Sequence, residues 1–230
     1  DVYKRQLYGQ SNQLRAYCGY SIGQYTAMYH AGMLPLDVVI DLIFKRAELM
    51  NDALKNISTG MLAVIGLAEE TIIELCEKIN TSNNQIQISN FNCYGQYTLS
   101  GNLNAIDSIA NSLEKLGAKK VLKLNVEGAW HCKLLKSASI KFRRLIDSIN
   151  FSDANVPVLD NYSGNILSKD SIQIRNSLAK HISNPVKWES CIRTMEKIGV
   201  DSFVELGYGQ VLSKFGFFIN RKLSFKPFYI

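Results

Sequence analysis

Leu14-Arg15-Ala16-Tyr17-Cys18-Gly19-Tyr20-Ser21-Ile22-Gly23 is the stretch on which the reading of this chain turns. Residues 14–19 read as a short buried strand, and residues 24–31 as a helix capped at its C-terminal end by Gly32. Between them lies G-x-S-x-G, with Ser21 on the sharp turn and Gly19 and Gly23 allowing the backbone to pass closely. That geometry exposes the hydroxyl and aims a helix N-terminus at it, so the Ile22 amide becomes a candidate oxyanion donor. The competing reading is a glycine-rich strand-to-helix turn with an incidental serine.

A second helix is expected over residues 37–54, started by Pro35 and Asp37. On it Arg46 falls among Leu42, Ile43, Leu49 and Met50, while Asp41, Lys45, Glu48 and Asp52 take the opposite face. A guanidinium on an apolar stripe is costly without an anion. No acid of its own helix can pair with Arg46. It needs either a buried structural carboxylate, the commoner case, or a carboxylate on a substrate, which a guanidinium holds by two parallel hydrogen bonds.

Further along, residues 61–67 read as a strand, 69–79 as an amphipathic helix, 86–90 and 97–100 as strands, 105–116 as a helix and 120–126 as a strand. This β-α-β-β-α-β order is the ferredoxin-like unit. Asn90, Asn92 and Gln96 are expected to place amides between two of its strands, in a cleft wall or in plain turn chemistry. Helices over 132–149, 171–181 and 188–198, with strands at 157–159 and 203–206, complete the chain, and 184–188 (NPVKW) reads as a turn between helices with a packed Trp. The expected fold class is α/β: a hydrolase-like, mostly parallel sheet covered by helices, formed by residues 1–56 and 127–230. Residues 57–126 form an inserted ferredoxin-like (βαββαβ) small subdomain. The opening DVYKRQ precedes any periodic pattern and is open to reading as a non-native scar, and the closing FKPFYI reads as a short apolar strand.

Composition narrows the function classes. With 47% hydrophobic and 20% charged residues the 230-residue chain can bury a core, which excludes disorder as its main state. No apolar run reaches the ~18 residues of a membrane span. The five cysteines have no metal-ligand spacing, so free buried thiols, a cytoplasmic setting and no metal are expected. The net charge of +6 is spread as pairs on mixed segments, which argues against nucleic acid and leaves room for an acidic protein partner. A serine nucleophile needs a base, and there are three histidines, His30, His131 and His181. His30 sits nearly three turns beyond Ser21. His131, at the start of a helix whose amide dipoles would keep it neutral, reads equally well as a general base or as a cap or surface histidine.

With Ser21, Arg46 and His131 in this order around the small insertion, the chain resembles the malonyl-CoA:acyl carrier protein transacylases and the acyltransferase domains of polyketide synthases, over residues 15–215. The family's GHSLGEY reads GYSIGQY here, its second-helix arginine falls at Arg46, and its SH..LM segment reads WHCKLL. Its FNxPGQ reads FNCYGQ, its NPVxW reads NPVKW, and its ELGPGxVL reads ELGYGQVL. The resemblance implies a ping-pong transfer without a cofactor, by a monomer that takes malonyl-CoA and the phosphopantetheine arm of an acyl carrier protein, with no membrane partner. Ser21 would be the nucleophile, His131 the base, Ile22 the oxyanion donor, Arg46, Asn92 and Gln96 substrate contacts, and the main-chain oxygen of His181 the group that orients His131.

Three departures accompany it. Tyr20 replaces a histidine, Gln24 a glutamate and Tyr208 a proline. The family's N-terminal strand and GQG loop, carrying a second oxyanion donor, are expected to be missing, at a rate cost of roughly 10²–10³-fold. A thioester hydrolase on the same fold and an inactive carrier-protein-binding fragment are the alternative functions.

Overall fold

The computed structural model describes residues 13–228. Helix α1 (Gly23–His30) leaves the Ser21 turn, and α2 (Leu36–Leu54) follows with Pro35 as its N-cap. Strand β1 (Thr59–Ile65), α3 (Glu69–Ile79), β2 (Ile86–Cys93), β3 (Gln96–Asn102), α4 (Leu103–Lys115) and β4 (Lys120–Lys123) come next. Helices α5 (Lys136–Leu145), α6 (Ser171–Ser183) and α7 (Trp188–Lys197) precede β5 (Ser202–Leu206), α8 (Val211–Ile219) and β6 (Ser224–Phe228). The result is an α/β molecule.

Strands β1 to β4 form one antiparallel sheet in the order β2-β3-β1-β4. Its buried face (Leu62, Val64, Ile88, Leu99) packs against Ile72 and Cys76 of α3 and Ile106, Ile109 and Leu113 of α4. Both helices carry these residues at helical spacing, so one stripe of each is removed from water. A second core joins Tyr25 and Met28 of α1, Leu42 and Met50 of α2, Phe142 of α5 and Leu178 of α6. A third gathers Leu159, Trp188, Cys191 and Ile192 with Phe203 and Phe225, whose rings stack at 4.6 Å.

Several expected elements take another form. Among the described residues the strand at 14–19 pairs only at Tyr17, which bridges Val158 in parallel. Pro157 has no N–H and gives only its carbonyl to Tyr17 N, and after Leu159 the chain turns back to pair with Ile166, so the ladder stops at one residue. Among the described residues parallel pairing is therefore limited to the two-stranded sheet of β5 and β6, that separate bridge and a further one between Asn90 and Val186. The long helix expected at 132–149 is three pieces, with single 3-10 turns at Lys133–Leu135 and Ile146–Ser148 flanking α5. Asn90 and Asn92 lie inside β2 rather than between strands. The NPVKW segment does more than turn: Val186 pairs with β2, accepting from Phe91 N and donating to Ser89 O at 2.9 Å each, and so covers the outer edge of the small sheet. DVYKRQ and the final two residues of FKPFYI lie outside the described residues.

Helix α8 went unforeseen. Its sequence VLSKFGFFI is apolar nearly all round, so it shows no stripe by which a helix is read. Gly216 within it is required, because a Cβ there would meet the Phe225 ring of β6 at 2.2 Å.

Candidate active site

The turn that carries Ser21 is closed by one glycine. A Cβ on Gly19 would lie 1.9 Å from the Gly23 carbonyl oxygen, whereas one on Gly23 meets nothing within 4 Å. Ser21 itself has φ 51°, and among the described residues only His131, at φ 58°, shares a left-handed backbone without being glycine. Such conformations cost about 1–3 kcal/mol each and persist only where the surroundings enforce them. The two strained residues meet. Ser21 Oγ lies 2.7 Å from His131 Nε2, and His131 Nδ1 lies 2.8 Å from the His181 carbonyl oxygen. A carbonyl can only accept, so Nδ1 carries the proton and Nε2 is left with its lone pair facing the hydroxyl.

His131 is buried, and its basicity is depressed from an ordinary 6.5 to about 3, first by burial and then by the nearby Arg46 charge, with the His181 bond opposing weakly. The ring is therefore neutral, held so by burial and by the Arg46 charge. The His181 ring, absent from the sequence-based expectation, stacks beneath His131 at 4.7 Å, fully buried, with neither nitrogen bonded.

Arg46 sits on the stripe Val39, Leu42, Arg46, Met50 of α2 and is 5% exposed. Among the described residues it forms no ion pair; its Nε has no partner, Nη2 donates to Ser21 Oγ at a long 3.4 Å, and the Tyr25 ring lies 5.9 Å away. Burial depresses its basicity, yet a guanidinium stays charged in proteins. A buried cation beside a nucleophile-base pair, with no anion paired to it among the described residues, is a site prepared for an anionic group.

These residues share a cavity of about 380 Å³, whose remaining walls include Tyr20, Met50, Met61, Asn90, Trp130 and Val126. Asn92 and Gln96 are not among its lining residues. Two register irregularities in β2, between Ile88 and Asn90 and between Phe91 and Cys93, turn Asn90 toward the cavity, while Asn92 accepts from Tyr20 Oη at 2.6 Å and donates to Thr98 Oγ1. Tyr20 Oη in turn accepts from Asn90 Nδ2 at 2.8 Å, and its ring stands edge-on to Trp188. The Ile22 amide opens α1 beside Ser21, where a helix has no intrahelical acceptor to offer it. His30, at the far end of α1, stacks on Tyr17.

Sequence reasoning missed Asn161. Fully buried, it accepts from Ser21 N at 2.7 Å and donates to Gly19 O at 2.9 Å, and its own N–H donates to Gln24 Oε1 at 2.9 Å. Gln24 Nε2 faces Asp160, a buried carboxylate that also accepts from Ser163 and Ser177 hydroxyls. A glutamate at 24 would set a second carboxylate against Asp160, which accounts for the amide here. Nothing in the linear sequence links position 161 to position 21.

No model of a known protein family matches the chain. Individual proteins do. Over 206 residues it is 32% identical to the malonyl CoA-acyl carrier protein transacylase of Bacillus subtilis (strain 168), covering 90% of this chain but 65% of that protein. It is 31% identical over 206 residues to the enzyme of the same name from Staphylococcus aureus (strain MSSA476), covering 90% of this chain and 67% of that one. This chain thus spans about two thirds of its curated relatives' length. A solved malonyl-transacylase, in complex with a type II polyketide synthase acyl-carrier protein, superposes with a TM-score of 0.92 at 28% identity, over 99% of this chain and 72% of that one. Sequence and fold agree with the geometry of the cavity, and the chain belongs to the malonyl CoA-acyl carrier protein transacylase family.

Proposed function

We propose that the protein transfers a malonyl group from malonyl-CoA to the phosphopantetheine thiol of an acyl carrier protein through a malonyl ester of Ser21. The observation that carries this reading is the uncompensated Arg46 charge, which shares the Ser21 hydroxyl with His131. A malonyl thioester has one free carboxylate, and the cavity offers one buried cation.

His131 Nε2 takes the Ser21 proton as Oγ bonds to the thioester carbonyl carbon. The developing oxyanion faces the Ile22 amide. As the carbon–sulfur bond breaks, His131 returns the proton to the departing CoA sulfur. The carrier-protein thiol then gives its proton to His131, attacks the ester carbonyl, and Oγ leaves with that proton. Burial depresses His131 most and Arg46 adds to it; a substrate carboxylate on Arg46 cancels that second contribution, so the base strengthens when the correct acyl group is bound. A hydrolase releasing neutral acyl chains would have no use for Arg46.

The finer architecture follows the same reading. Residues 57–126 act as a ferredoxin-like small subdomain, supported by the strand order β2-β3-β1-β4, set into a hydrolase-like large one formed by 1–56 and 127–230. Buried free thiols at Cys76, Cys93, Cys132 and Cys191 support work in a reducing, cytoplasmic setting. The test is transfer of radiolabel. Labelled malonyl-CoA should mark the protein, and the label should move to holo carrier protein on its addition. Release of free malonate in place of transfer would overturn the transferase reading in favour of hydrolysis, and no labelling would leave only a binding role.

A further inference from the structure

One backbone bond, from Gly23 N to Tyr20 O at 2.9 Å, spans the Ser21 turn, and among the described residues it leaves the Ser21 N–H and the Gly19 carbonyl without main-chain partners. Its left-handed serine directs an N–H away from the helix it precedes, and the Gly19 carbonyl on the other side of the bend points the same way. Both reach one carboxamide. Asn161 Oδ1 accepts from Ser21 N at 2.7 Å while Nδ2 donates to Gly19 O at 2.9 Å, so the side chain bridges the bend as a neighbouring backbone strand would. The main chain of Asn161 is fixed on both sides, its N–H on Gln24 Oε1 at 2.9 Å and its carbonyl accepting from Lys187 N at 2.8 Å. Gln24 belongs to α1, which Ser21 opens, so the contacts close a loop: turn to Asn161, Asn161 to Gln24, and back along the first turn of α1 to Ser21. Asn161 and Gln24 are fully buried and the two bonds to the turn are partly so, which shields this set from competition by water.

We propose that Asn161 is a positioning residue for the nucleophile, its carboxamide holding Ser21 in the left-handed conformation that brings Oγ within 2.7 Å of His131. The proposal rests on the reading of Ser21 as nucleophile. Only an amide suits the position. It must accept at one atom and donate at the other, and a carboxylate would face the Gly19 carbonyl with a like partial charge. Asn161 touches neither the cavity nor any reacting atom, so its loss should slow chemistry and spare binding. Nucleophile displacement of an ångström or less is enough to cost about 10²-fold.

The experiment is single-turnover acylation of Ser21 by malonyl-CoA, in the unaltered protein, in Asn161→Ala and in the near-isosteric Asn161→Asp, below each variant's unfolding temperature as read by near-UV circular dichroism. The expected result is a rate lower by roughly 10- to 100-fold in both variants, with malonyl-CoA affinity unchanged within about twofold because Arg46 is untouched. A small serine-directed sulfonyl fluoride, which needs no malonyl recognition, should lose reactivity in parallel. If one variant does not fold, the other decides. Unchanged acylation in a folded variant, or a loss confined to affinity, overturns the positioning role and leaves the nucleophile reading intact. Absence of Ser21 acylation in the unaltered protein overturns both.

Discussion

Arg46 and His131 are the residues whose surroundings say most. A guanidinium 5% exposed on the apolar face of α2, with no acid paired to it among the described residues, is a cost that a carboxylated ligand would offset. Arg46→Ala should reduce malonyl loading of Ser21 by roughly 10²-fold or more while acetyl loading falls far less; equal losses measured side by side would defeat the assignment. His131 gives a pH expectation. Its ring titrates near 3 in the folded protein against 6.5 in an unfolded chain, so the unfolded state binds the extra proton first on acidification. Stability from this group is complete above about pH 6.5 and is lost as pH falls toward 3. Buried His181, also held well below its usual value by burial, adds in the same direction. Urea midpoints measured from pH 7 to pH 4 should fall in the unaltered protein and fall less in His131→Gln; a parallel decline in both would contradict the assignment. The serine, the arginine and the histidine were legible in sequence because each breaks a local rule: a serine at a glycine-bounded turn, a cation on an apolar stripe, a histidine next to the insertion's end. Asn161 and the His181 ring break none, and only folding brings them to the site.

At the scale of elements, the Ser21 turn makes a sharper claim than its five-letter motif. Gly19 and Gly23 look equivalent in sequence, but only Gly19 faces a backbone atom. Gly19→Ala should cost roughly 2–4 kcal/mol in chemical denaturation, whereas Gly23→Ala, at the first position of α1, should leave stability level or raise it by up to about 1 kcal/mol. Similar losses at both would show that the turn closes otherwise. Helices α3 and α4 could be read from sequence because each buries one stripe against a sheet. Helix α8 could not, since nearly all of its surface is apolar, and the single-residue bridge at Tyr17 could not because alternation of side chains does not reveal where a ladder ends. The irregularities of β2 were equally hidden, and they decide that Asn90 rather than Asn92 faces the cavity.

At the scale of the whole molecule, the cavity lies where the small sheet meets the helices that carry Ser21 and Arg46. Among the contacts that hold those parts are Val186 paired with β2 and Tyr20 bonded to Asn90 and Asn92. Tyr20→Phe leaves an amide donor and a carbonyl acceptor buried without partners, for an expected loss of about 1–3 kcal/mol, read from the urea midpoint. No loss would mean that the other contacts between those parts suffice. The measurement that tests the central claim most directly is peptide mapping by mass spectrometry after malonyl-CoA is mixed with the protein and quenched in acid. A malonyl increment on the peptide holding Ser21, absent from Ser21→Ala and strongly slowed in His131→Ala, is the expected result. An increment on any other residue, or one that persists in Ser21→Ala, would contradict it.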